Sequence, residues 1–150
     1  MKRLIFLLAL LLIFCSCGYS SRAFVRPGVD LTQAQCVYLE IPDIENDPGS
    51  TDNMNLSGDV TEELMKMGFS VITGERRGET NCETRVRYNY STKWNLMVYV
   101  GSISVEFVDA KSGKVIASAS TKQNGPFLAG ACLRCVEPTF AELNKKIEKK

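Results

Sequence analysis

From residue 36 onward, apolar and polar positions recur with periods that spell out a series of elements. In Cys36 to Pro42 the apolar Val37, Leu39 and Ile41 alternate with Tyr38 and Glu40, a period of two that predicts a first strand. A loop follows over 43–52, broken by Pro48 and Gly49. Leu56, Val60, Leu64 and Met67 then recur at helical spacing, with Glu62, Glu63 and Lys66 on the opposite side, and Gly58 weakens the first turn. Gly68 stands where a helix takes a left-handed cap, and Phe69 to Thr73 reads as the second strand. Beyond the charged loop 75–81, Cys82 to Thr92 sets Cys82, Thr84, Val86, Tyr88 and Tyr90 against Arg85, Arg87 and Asn89, a third strand. Residues 96–108 form the fourth and longest. Met97, Tyr99, Ile103, Val105 and Phe107 share its inner face, and the other face starts apolar (Leu96, Val98, Val100) and turns polar (Ser102, Ser104, Glu106). Ser112-Gly113 makes a hairpin onto the fifth strand, Val115 to Thr121. Pro138 opens a last helix lined by Phe140, Leu143 and Ile147, with lysines at its C-terminal end, where the helix dipole favours them. The order β-α-β-β-β-β-α predicts an α+β fold: a two-layer sandwich with a mixed sheet of about five strands and the helices on one face.

The first 35 residues follow different rules. Lys2 and Arg3 precede an uncharged apolar run from Leu4 to Phe14, which as a helix covers only about half of the ~30 Å bilayer core. It reads as the core of an export signal and not as a spanning helix. The run ends in Phe14-Cys15-Ser16-Cys17-Gly18, a small residue directly before a cysteine. This resembles the lipobox of bacterial lipoproteins, with Phe14 in place of the usual Leu. The resemblance implies cleavage after Ser16 and a diacylglycerol on the thiol of Cys17. Cys15 is the rival acceptor, but it would put Phe14 where a small side chain is required. Gly18 after the cysteine implies, by the same resemblance, retention at the outer membrane. The expected division is a signal peptide over 1–16, a lipid anchor and flexible tether over 17–35, and a single periplasmic domain over 36–150. The tether is read from its small polar residues and from Arg26-Pro27-Gly28.

Charge narrows the partners. Two of the eighteen basic residues lie in the leader, so sixteen face seventeen acidic ones, a net charge of −1 that offers nucleic acid no electrostatic attraction. The expected attachments are the membrane, through the lipid, and an envelope protein. The chain contains no histidine, which removes Ser-His-Asp and Cys-His catalysis and every imidazole metal site. No cofactor and no catalytic residue is expected.

Cys36, Cys82, Cys132 and Cys135 remain in the domain, and in an oxidising compartment an even number of cysteines points first to disulfides, with three possible connectivities. Cys36 and Cys82 each begin a strand, and if those strands are parallel neighbours the two sulfurs lie level. Cys132-Leu133-Arg134-Cys135 reads as a local disulfide before the last helix. Its alternative is a thiol-disulfide or metal-handling site, since a C-x-x-C at a helix N-terminus can exchange disulfides. All four sulfurs could in principle hold zinc. Asp43, Glu45 and Asp47 alternate as in calcium loops, but the closing glutamate is missing, so no metal site is assigned there. Trp94, Leu96, Val98 and Val100, together with Phe127 and Leu128 of the apolar loop 125–131, form a possible partner surface.

Several of these features together resemble a group of uncharacterised Gram-negative envelope lipoproteins. They are the lipobox, Met67-Gly68-Phe69 closing the helix, the Tyr88-Asn89-Tyr90-Ser91-Thr92-Lys93-Trp94 strand end, and the hairpin from Asp109 to Gly113. The architecture is similar to the small domains of the curli secretion lipoprotein and the N-terminal domain of TolB. The resemblance implies a non-enzymatic adaptor or scaffold. Cys17-Gly18-Tyr19 is also similar to the opening of the lipopolysaccharide-assembly lipoprotein LptE, which makes an accessory role in that assembly a further alternative.

Overall fold

The computed structural model describes residues 18–42, 56–95, 97–124 and 135–148, with the backbone alone for 94, 95, 97 and 98. Its elements are β1 (Tyr19–Val25), a 3-10 turn (Leu31–Gln33), β2 (Cys36–Ile41), α1 (Leu56–Lys66), β3 (Ser70–Glu75), β4 (Thr84–Asn95), β5 (Met97–Asp109), β6 (Val115–Gln123) and α2 (Val136–Glu148). The strands form one mixed sheet in the order β1-β6-β5-β4-β2-β3. β2 runs parallel to both β3 and β4, and the pairs from β4 through β5 and β6 to β1 are antiparallel. The architecture is the expected α+β one, with six strands in place of five.

The helices cover one face of the sheet because their apolar stripes have no other place to go. Leu56, Val60 and Leu64 of α1 and Phe140 and Leu143 of α2 are buried in one core with Val37, Leu39, Val86, Ile103, Val105 and Phe107. At roughly 1.5–3 kcal/mol for each large side chain taken out of water, this layer is the main stabiliser of the domain. α1 ends where Gly68 takes φ 91°. There the Phe69 N–H bonds the Leu64 carbonyl and the Gly68 N–H bonds the Met65 carbonyl, the paired bonds of a Schellman cap. α2 begins two residues before Pro138, which still falls in the first turn, where its missing N–H is no loss.

The sixth strand corrects the tether reading of 17–35. Tyr19 to Val25 lies antiparallel to β6, with Ser21, Ala23 and Val25 opposite Thr121, Ala119 and Ala117. Small groups on both strands let α2 lie close over them. They are also tied by hydroxyls: Thr139 Oγ1 donates to the Cys135 carbonyl and stands 2.7 Å from Thr121 Oγ1, itself 2.7 Å from Ser21 Oγ. Polar composition suggested a tether, but in place the segment alternates like any strand with one covered face.

A second correction concerns β5. Ser91 pairs with Ser102 but Thr92 pairs with Val100, so Gly101 is an extra residue, a β-bulge. A side chain there would collide with the stem of Lys93, which lies across it. The bulge reverses the alternation: Val100 joins the core, fully buried, and Tyr99 is buried outside that cluster. Tyr99 therefore does not share the face of Ile103, and Val100 is not part of an outer surface.

Candidate functional site

The parallel pairing of β2 and β4 sets Val37 opposite Thr84, which brings the residues just before them together. Cys36 and Cys82 are joined there by a disulfide, with 5.2 Å between their Cα atoms. With those sulfurs bonded to each other, a site of four thiolates is overturned. Among the described residues no group of three or more acidic or sulfur side chains is placed to hold a metal ion.

Cys135 immediately precedes α2 at φ 58° and is 1% exposed. Its Sγ points to Gln123 Oε1 at 3.7 Å, a long thiol hydrogen bond, and Gln123 is itself buried. A thiol exchanging with an external disulfide needs access to it; this one faces the interior. Cys17, Cys132, Leu96, Phe127, Leu128 and the acidic loop 43–52 lie outside the described residues, and of Trp94 and Val98 only the backbone is described. Trp94 pairs with Val98 near the end of the β4–β5 hairpin.

Periodicity alone had placed Tyr38, Glu40, Arg85 and Arg87 on the polar faces of two strands; the structure unites them. Glu40 is only 3% exposed and receives Arg85 Nη1 on one carboxylate oxygen and Arg87 Nε on the other, each at 3.1 Å. Arg85 Nη2 also donates to the Gly78 carbonyl at 2.8 Å, and its guanidinium stands 5.2 Å from the centre of the Tyr38 ring. That ring lies over Gly74 and Gly78, where no Cβ would fit, and its hydroxyl donates to the Glu75 carbonyl. The cluster fastens the β3–β4 loop over the helix-free face. Its signal in the sequence was one carboxylate on a strand beside two arginines spaced by two on the next, readable only once β2 and β4 are known to be neighbours.

On the helix side, burial pushes the Tyr88 phenol up to about 12, opposed by a hydrogen bond with Ser57 and reinforced by the neighbouring Tyr90. The folded value lies above the ordinary one near 10, so the contribution is complete below pH 10 and lost as pH rises through 12. The urea midpoint of wild type should therefore fall further than that of Tyr88→Phe as pH goes from 9 to 11.5; parallel profiles would refute this.

A groove of about 440 Å³ opens between the β1 end and α2, lined by Val25, Val29, Leu31, Ile147 and Asp30. The Asp30 carboxylate already accepts from the Thr32 N–H and hydroxyl and from Gln33, as the cap of the 3-10 turn.

No protein-family model and no curated protein matches this chain. Solved structures do. PelC from Paraburkholderia phytofirmans, crystallised as a dodecamer, superposes with a TM-score of 0.53 at 13% identity, over 87% of this chain and 94% of PelC. A DUF4136 family protein from Bacteroides thetaiotaomicron VPI-5482 gives 0.52 at 11% identity, over 87% and 95%. The fold is PelC-like. At such identities the likeness extends to the path of the backbone and not to any side chain. The likeness spans nearly the whole length of both neighbours.

Proposed function

We propose that this chain is a lipoprotein held by Cys17 at the periplasmic face of the outer membrane, where its PelC-like domain serves as a non-enzymatic scaffold for envelope proteins. The observation that carries the reading is the position of Cys17. It follows, by three residues, the apolar run Leu4 to Phe14, which is too short to span a bilayer, and it stands two residues before the edge strand β1. Acyl chains on that thiol would supply the anchorage, each buried methylene contributing about 0.8 kcal/mol. No helix among the described residues is long and apolar enough to cross a membrane. The conspicuous polar groups of the domain are engaged with one another: Glu40 with two arginines, Thr139 with Thr121, Cys135 with Gln123. Such pairs brace a framework. The PelC structures are dodecamers, a precedent for a domain of this fold working as an assembled part.

The test is metabolic labelling with an alkyne palmitate analogue, followed by membrane fractionation. Wild type and Cys15→Ala are expected to be labelled and sedimented with outer membrane, and Cys17→Ala to lose the label entirely. An unlabelled wild-type protein would overturn the lipid reading.

A further inference from the structure

The large apolar side chains exposed among the described residues are Tyr19, Phe24, Met65, Ile72 and Val115. All but Val115 gather at the two lateral edges of the sheet. Tyr19 and Phe24, 49% and 52% exposed, sit on β1, and Ile72, 49% exposed, sits on β3. Met65 is on α1, the helix that packs beside β3. Among the described residues no strand pairs with the outer side of either edge. Neither edge strand carries the proline or lysine that guards many exposed edges.

The two edges also fit each other. Followed across the sheet, β3, β2, β4 and β6 run one way and β5 and β1 the other, so β1 and β3 are antiparallel. Paired residues share a face. Phe24 pairs with Ser118, Ser118 with Glu106, Glu106 with Arg87, Arg87 with Glu40 and Glu40 with Gly74, two residues from Ile72. Phe24 and Ile72 therefore both stand on the helix-free face, at its opposite margins.

We infer that copies of this chain join head to tail, β1 of one copy adding to β3 of the next as an antiparallel strand. Set with Phe24 beside Ile72 of the next copy, the junction also places Val25 beside Val71, both half-buried already. The sheet passes from copy to copy with its helices on one side. A two-fold pairing of β1 with β1 would be antiparallel too, but it would leave the Ile72 edge bare. Because the contact joins two different surfaces, it builds a closed ring where the rotation per copy closes and a filament where it does not. This inference is independent of the lipid on Cys17.

The experiment is native mass spectrometry of the full-length protein released from detergent micelles. Wild type is expected at a multiple of the protomer mass, and Val115→Lys, away from both edges, at the same mass. Phe24→Lys and Ile72→Lys are each expected as monomers with wild-type circular dichroism, since both side chains are exposed. Mixed in equal amounts, these two variants retain one intact junction between them, so they are expected to form a dimer and nothing larger. A monomeric wild type, edge variants that keep the wild-type mass, or a mixture that stays monomeric would each overturn the inference.

Discussion

Replacing Cys36 and Cys82 by alanine lowers the melting temperature by on the order of 15 °C. The disulfide spans a sequence separation of 46. Closing a loop of that length removes chain entropy from the unfolded state worth about 4 kcal/mol, and a domain of this size shifts by about 4 °C per kcal/mol. Scanning calorimetry of wild type in the presence and absence of reductant gives the same comparison without a mutation, provided Cys36→Ala/Cys82→Ala is insensitive to reductant. A shift under about 3 °C would mean that the unfolded chain is already confined near this loop by other contacts.

Glu40→Ala is expected to cost about 3 kcal/mol, much more than a surface ion pair is worth. The carboxylate is buried, and removing it leaves the guanidinium of Arg85, 18% exposed, without its counter-charge. Arg87, at 37%, can turn to water. Arg85→Leu alone should therefore be more damaging than Arg87→Leu. The urea midpoint should fall with the m-value unchanged. A loss below 0.5 kcal/mol would place the cluster among ordinary surface pairs.

What periodicity could read in this chain was what local chemistry decides. The α1 stripe and its Gly68 cap, the hairpin between β5 and β6 and the level placement of Cys36 and Cys82 all follow from spacing plus one assumption about which strands are neighbours. What it could not read depended on distant partners. β1 has the small polar residues of a linker, and only the equally small Thr121, Ala119 and Ala117 across from it turn them into a strand. The bulge at Gly101 defeats any reading by alternation, because a single extra residue exchanges the two faces for everything beyond it. That is why Val100, read as an exposed position, is in the core. The Glu40 cluster was legible as three charged residues, but their convergence belongs to the β2–β4 register.

The pairing of β1 with β6 also sets an order of events. Ser21 and Thr121, in direct contact, are separated by one hundred positions in the chain. As a polypeptide emerges N-terminus first, such a strand has nothing to bind until almost everything else has arrived, and non-local pairings of this kind form late. On the lipoprotein reading proposed above, an enzyme acting at Cys17 would meet the chain before that pairing forms.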